Sequence, residues 1–337
     1  AASGVRRTKS TQQAEDDGLF VRADGDMWAA IDGCIFNHDD LQNELEAKKV
    51  RFSGESDAEL VAHLYACLGV DCLERLEGEF ALLVWDAKEN QIFAARDRLG
   101  VRHLFYTIQD SGVYFGSEIK AILGSGEVER QLDLKALDQV LFMNAPVAPR
   151  TMFADVSALP AGHFLLIKPG HITQEAYWDL DFTPQERSSR SENQYREQML
   201  SLLEDAVALR TPQDQSVGVY LSGGLDSSTV TTLMANNGPG DFPAYIADFD
   251  VPAYSEREYA LLTAQSAGIP LHVAEISSQG IGEHFPDLIW HGEAPLVLAE
   301  STSLLILAQR AAQDVDIVLN GEGGDELLAG YVFNDWD

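Results

Sequence analysis

Residues 216–228 read Ser-Val-Gly-Val-Tyr-Leu-Ser-Gly-Gly-Leu-Asp-Ser-Ser, an apolar alternation running into a turn rich in glycine and hydroxyls. Val217, Val219 and Leu221 alternate as in a buried strand. Gly223 and Gly224 allow a tight turn and a close approach of backbone to ligand. Asp226, Ser227 and Ser228 then open a helix. Its N-terminal N–H groups and partial positive charge suit an anion, and Ser222, Ser227 and Ser228 add hydroxyl donors. The loop lacks a Gly-Lys-Ser/Thr ending and is therefore not a Walker-type loop. A second segment has related chemistry. Asp316–Leu319 reads as a strand, followed by Asn320-Gly321-Glu322-Gly323-Gly324-Asp325-Glu326. Two acids spaced by glycines at the C-terminal end of a strand lie where open α/β sheets bind ligands. The loops 222–228 and 321–325 are expected to converge on one cleft.

The elements that must position these loops follow from the hydrophobic rhythm. Up to about residue 180 the chain is rich in strands, with candidate hairpins at 80–95, 103–117 and 162–172 and helices at 39–48, 57–68 and 134–143. Residues 181–194 have little apolar content and read as a linker. Beyond it, helix and strand alternate: helices at 194–209, 226–236, 255–267 and 301–313, strands at 216–221, 244–249, 270–276 and 316–320. That alternation predicts a parallel sheet with helices on its faces. Ser255-Glu256-Arg257-Glu258 has the pattern of a capping box.

Composition bounds the partners. The 337 residues are 45% apolar and carry a formal charge of −31, enough chain for two cores and a surface that repels nucleic acid and anionic membranes. The acid excess is spread along the chain, as a solubility or salt-tolerance trait would be. Three cysteines, Cys34, Cys67 and Cys72, show no paired or metal-like spacing, so a reducing cytoplasmic setting is the default. No apolar run is long enough for a membrane span, and no secretory leader is evident. The polar residues 1–18 read as a disordered lead-in or the start of a fragment.

Ser222–Ser228 resembles the pyrophosphate loop of ATP pyrophosphatases. Together with Asn320–Glu326 and the following Gly330-Tyr331 it resembles the paired motifs of asparagine synthetase and its relatives. Further matches run through Asp32–Asn37, Ser56–Glu59, Ala95–Gly100, Phe115–Ala121, Pro149–Phe153 and Leu159–His163. The resemblance implies an antiparallel two-sheet αββα glutaminase-like domain over 1–180. After the linker, a doubly wound parallel sheet over 195–337 would carry an ATP-pyrophosphatase site. It further implies ATP and Mg²⁺, a small-molecule carboxylate and an amine donor as partners, and a homodimer as a candidate assembly. Ser222, Gly223, Gly224, Ser227 and Ser228 would hold phosphates, Asp226 and Asp325 would ligate Mg²⁺, and Leu221, Ile246, Ala247 and Asp248 would line the adenine. Asn320 and Gly321 would flank the nucleotide, and Glu322 would face an acyl-adenylate. Glu293, Ser301 and Thr302 are lesser candidates for the acyl acceptor's pocket.

The departures from the family concern glutamine. Its glutaminase uses an N-terminal Cys, and this sequence starts at Ala1. The oxyanion-donor position is Asp32 and the glutamine-contacting acid is Cys34; Gly33 and Asp57 keep the family's type. Glutamine hydrolysis is therefore expected to fail. Arg96, Asp97 and Arg98 are expected to form an ion-paired turn. The leading expectation is formation of an amide through an acyl-AMP, with aspartate as default substrate. The alternatives are a relative that forms a β-lactam or peptide macrocycle, and a nucleotide-binding protein without catalysis. Glu322 weighs against the β-lactam branch.

Overall fold

The computed structural model describes residues 19–21, 25–181, 190–212, 215–238, 240–295, 300–328 and 330–331. The chain divides into two compact units, Ala1–Thr183 with Glu293–Pro295, and Pro184–Gly292 with Leu296–Asp337.

The first unit holds β1 (Leu19–Val21), β2 (Met27–Ile35), α1 (His38–Ala47), α2 (Asp57–Leu68), α3 (Cys72–Arg75), β3 (Gly78–Asp86), β4 (Gln91–Arg96), β5 (Phe105–Gln109), β6 (Gly112–Gly116), α4 (Ile119–Leu123), α5 (Leu134–Met143), β7 (Ser157–Ala158), β8 (His163–Lys168) and β9 (His171–Ala176). Six strands form one antiparallel sheet in the order β1-β2-β3-β4-β8-β9, and β6-β5-β7 form a second. Alternation along β3 explains the layers. Phe80, Leu82 and Val84 face Leu60, Val61 and Leu64 of α2. Ala81 and Leu83 turn the other way, towards Leu104, Tyr106 and Phe115 beneath the second sheet. Ile119 and Ile122 of α4 then cover that sheet's far side. The result is the expected helix–sheet–sheet–helix sandwich. Ser56 caps α2 by accepting from Glu59 N–H, which starts the helix at the residue read from sequence.

The second unit contains α6 (Glu192–Leu209), β10 (Val217–Tyr220), α7 (Leu225–Asn237), β11 (Ala244–Phe249), α8 (Arg257–Ala267), β12 (Leu271–Ile276), α9 (Ser278–Gly292), α10 (Glu300–Ala311), β13 (Ile317–Leu319) and α11 (Gly324–Leu328). Its four strands are parallel in the order β12-β11-β10-β13. One face packs on α7 and α8 through Val219, Leu221, Ile246, Leu233 and Ala260. The other face meets α10 through Tyr245, Ala274 and Leu307. Both faces are covered, as a doubly wound sheet requires.

Three expectations change. The expected linker 181–194 ends in helix, because α6 begins at Glu192 with a capping box between Ser191 and Gln194; residues 182–189 lie outside the described residues. The capping box at Ser255–Glu258 does not form. Helix α8 is capped at Glu256 with no side-chain bond. Helix α9 is additional, in a stretch where Gly280, Gly282 and Pro286 all lower helix propensity.

Candidate nucleotide site and glutamine-site remnant

Strands β10 and β13 are hydrogen-bonded neighbours, with Val217 opposite Ile317 and Val219 opposite Leu319. Two parallel neighbours release their following loops at the same edge. The 222–228 and 321–325 segments therefore start side by side, and glycine lets them touch. A Cβ at Gly321 would lie 2.7 Å from Ser227 N and 3.0 Å from Asp226 Cβ, and one at Gly324 would collide with the Asp226 carboxylate. The two loops meet on Asp226.

The first loop is internally braced. Ser222 Oγ and Ser227 Oγ lie 3.0 Å apart, Gly224 N–H donates to Ser222 Oγ at 3.2 Å, and Ser227 Oγ donates to the Gly224 carbonyl at 3.3 Å. Ser228 Oγ is 3.1 Å from Thr263 Oγ1, which ties the start of α7 to α8. Gly223 has φ +87° and packs on α8, where a Cβ would meet Ala260 N at 2.5 Å. Both constraints exclude a larger residue. No side chain caps α7, whose N-cap is Gly224, so the loop leaves the helix N-terminus available to an anion. Leu221 is 1% exposed and its N–H donates to the Tyr245 carbonyl. Ile246 is buried and Ala247 half-buried on neighbouring β11.

In the second loop, Asn320 Oδ1 accepts from Glu322 N–H at 3.1 Å. That turn leaves the Glu322 side chain exposed. Asp325 is half-buried, with its carboxylate against Gly330. Among the described residues no group of three or more His, Cys, Asp or Glu is placed to hold a metal ion. Asp226 and Asp325 offer carboxylate oxygens, the donor type that a Mg²⁺ would take.

Glu293, grouped with the first unit, accepts from Ile119 N–H and Lys120 N–H at 2.6 Å each. Both its carboxylate oxygens thus cap α4, in place of the expected substrate role. Thr302 is wholly buried within α10, so its hydroxyl does not line an open pocket.

The glutamine-site positions cluster around the C-terminal end of β2. Asp32 accepts from Ser117 Oγ at 2.6 Å and lies 3.7 Å from Arg102 Nη1. Gly33 presses on the Glu79 carbonyl of β3. Cys34 reaches solvent, yet desolvation, reinforced by the Asp57 and Glu79 carboxylates, pushes its thiol up to about 11. Asp57 opens α2, accepts from Ile35 N–H at 3.0 Å and binds His38 Nδ1 at 2.7 Å. Sequence reasoning missed His38 and Ser117, whose partners lie 19 and 85 residues away. The turn at Arg96–Arg98 is braced differently from the expected ion pair. Asp97 accepts from the N–H groups of Leu99, Val101 and Arg102, and Arg96 donates to the carbonyls of Gly100, Arg102 and Leu159.

The chain thus joins an αββα sandwich to a parallel sheet with paired strand-end loops. Residues 6–178 match the glutamine amidotransferase domain family and residues 198–337 the asparagine synthase family. The chain belongs to the glutamine-hydrolysing asparagine synthetase family. It is 31% identical to the amidase chyE of Penicillium rubens over 93% of this chain and 48% of that protein. With asparagine synthetase 1 of Bacillus subtilis it shares 30% identity over 91% of this chain and 48% of the relative. The chain thus spans about half the length of the curated relatives it matches. A solved glutamine phosphoribosylpyrophosphate amidotransferase from B. subtilis covers 76% of the chain at 16% identity and a TM-score of 0.34.

Proposed function

We propose that the protein forms an amide bond at the expense of ATP, activating a carboxylate as an acyl-AMP with release of pyrophosphate before an amine attacks. The observation that carries this reading is the meeting of the 222–228 and 321–325 loops on Asp226 at one edge of the parallel sheet. Ser222, Gly223, Gly224, Ser227 and Ser228 bind the β and γ phosphates, and Asn320 and Gly321 flank the nucleotide. Asp226 and Asp325 are the residues that would hold Mg²⁺, which when bound neutralises charge on the departing pyrophosphate. Glu322, exposed at the mouth of the loop, orients the activated carboxyl group or takes the amine's proton. Aspartate is the default acid. The test is exchange of labelled pyrophosphate into ATP with a panel of carboxylic acids. Exchange that depends on one acid supports the reading, and absence of exchange with bound ATP makes the site a nucleotide-binding one without catalysis.

The Asp32 geometry favours a specialised amidating relative that takes free ammonia or an amine over one fed by glutamine. Asp32 accepts from Ser117 where the family resemblance calls for an oxyanion donor, and a negative group there opposes the developing charge. The 31% identical relative named an amidase is compatible with that branch. No glutamate should form from glutamine above background; formation at a rate matching amide synthesis would return the protein to the glutamine-fed class.

A further inference from the structure

We propose that a cavity at the C-terminal end of α2, in the first unit, binds a small amino alcohol. Its hydroxyl would sit on Tyr65 and Gln91 and its ammonium on Asp86. The cavity has a volume of about 310 Å³, and Met27, Tyr65, Gly69, Asp86 and Gln91 are among the residues that line it. That is the lower end of the range for small-ligand sites. It lies where β2 begins, β3 ends and β4 begins, since Met27 is opposite Asp86 and Asp86 opposite Gln91. The glutamine-site remnant is at the other end of β2, with Cys34 roughly 23 Å along the strand from Met27. Neither that remnant nor the nucleotide loops contribute a lining residue.

Two of the lining side chains form a polar pair that the fold leaves half satisfied. Tyr65 is 5% and Gln91 9% exposed, and Gln91 Nε2 donates to Tyr65 Oη at 2.6 Å. Among the described residues this is the one side-chain hydrogen bond of either. Burial, reinforced by the charge of Asp86, pushes the Tyr65 hydroxyl up to about 12, so it keeps its proton. That O–H then lacks an acceptor, and Gln91 Oε1 lacks a donor. Turning the amide over exchanges which residue holds the spare donor and which the spare acceptor, and still leaves one of each. Buried polar groups in that condition call for partners. A hydroxyl, donor and acceptor in one atom, answers both. The surrounding charge adds a second demand. Asp86 Oδ1 accepts from Lys88 N–H and Glu89 N–H at 3.0 and 3.1 Å, and its Oδ2 has no partner among the described residues. Lys88 Nζ is engaged by Asp26 Oδ2 at 2.7 Å. Helix α2 ends beside the cavity with no basic residue in its last turn, so its partial negative charge is unanswered. Carboxylate and helix end together suit an ammonium and repel an anion.

The experiment follows the amide resonances of the isotope-labelled chain by NMR while ethanolamine, aminopropanol or aminopentanol is added. Each is compared with the alkylamine and the diol of the same length. Saturable shifts should centre on Tyr65, Gly69 and Gln91, and at least one amino alcohol should bind about tenfold or more tightly than its alkylamine and its diol. Asp86→Asn keeps an Oδ1 acceptor for the turn and should weaken that amino alcohol by about tenfold or more. Tyr65→Phe should shrink its advantage over the alkylamine while leaving the alkylamine's own affinity unchanged. Melting curves identify any variant that is unfolded, and the wild-type comparison stands without the variants. Absence of saturable shifts at the cavity overturns the proposal, as does equal binding of amino alcohol and alkylamine by wild type. Undiminished binding by folded Asp86→Asn overturns it too. Shifts confined to the second unit would assign the amine to the proposed synthetase site and overturn the cavity's role.

Discussion

A methyl group added at Gly324 would sit on the carboxylate of Asp226, so Gly324→Ala displaces one side chain while leaving the apolar cores untouched. Asp325→Ala removes the other acid outright. Both are expected to leave the melting temperature nearly unchanged. Asp325→Ala should lower pyrophosphate exchange by about a thousandfold, several kcal/mol of transition-state stabilisation. Exchange that survived, or melting that fell as steeply as activity, would make these residues structural. His38 supports a prediction of the opposite kind, about stability. Its Nδ1 faces Asp57 Oδ1 at 2.7 Å and its Nε2 faces Gln42 Oε1 at 3.0 Å. Gln42 Nε2 is committed to Glu46 Oε1, which fixes the amide with its oxygen towards the imidazole. Two acceptors are both satisfied only by the doubly protonated ring. The hydrogen bond to Asp57, above all, raises the His38 pKa from its ordinary 6.5 against a smaller opposing effect of desolvation. A raised folded value means that the contribution is fully present below the unfolded pKa and is lost as pH rises through the folded one. The melting advantage of wild type over His38→Gln should therefore shrink from pH 6.5 upward; an advantage that grew with pH would refute the assignment.

At the scale of elements, two candidate helix caps give opposite forecasts. Ser191 accepts from Gln194 N–H while Gln194 Oε1 accepts from Ser191 N–H, so Ser191→Ala should cost about 1 kcal/mol in denaturant unfolding or in local protection of α6. Ser255 carries the more obvious sequence signal, yet α8 starts without a side-chain cap, and Ser255→Ala should fall within about 0.5 kcal/mol of wild type. A reversal of that order would reassign the caps. The same contrast shows what was legible. Strand and helix patterns located β10, β11 and β12 and the helices α2 and α5 almost to the residue, because the strands are short apolar runs covered on both faces and the helices repeat apolar residues against a core. The two strand-end loops were legible because glycine and carboxylate spacing encodes a backbone conformation directly. Helix α9 was hidden by Gly280, Gly282 and Pro286, whose local preference is overridden in the folded unit. The capping of α4 by Glu293, 174 residues from Ile119, and the buried Oδ1 of Asp248, unpaired among the described residues, are products of tertiary packing. No local pattern carries them.

Across the whole molecule the dominant long-range force is self-repulsion. Asp and Glu number 54 against 23 Lys and Arg, a net charge of −31, so even complete pairing of every base would leave the whole excess of acid unpaired. Some pairs do form, such as Glu44 with Lys48 and Arg75 and Asp133 with Arg150. They are surface pairs, and such pairs contribute about 0–1 kcal/mol each and weaken as salt rises. Repulsion among the unpaired acids is also screened by salt, and its relief acts in the opposite direction. The screening length falls from about 30 Å at 0.01 M to about 8 Å at 0.15 M ionic strength, crossing the spacing of charges within one unit. Because the excess outnumbers the pairs, repulsion decides the sign, and the folded state, which holds the acids closer together than the unfolded chain does, gains from added salt. Melting in sodium chloride should therefore rise by a few degrees between 0.01 M and 0.15 M, corresponding to about 1 kcal/mol or more for units of this size. Potassium chloride should act equally, since screening depends on ionic strength and not on the cation. A melting temperature that stayed flat or fell over that range would mean that the surface pairs outweigh the net charge. A rise with one cation alone would indicate specific binding in place of screening.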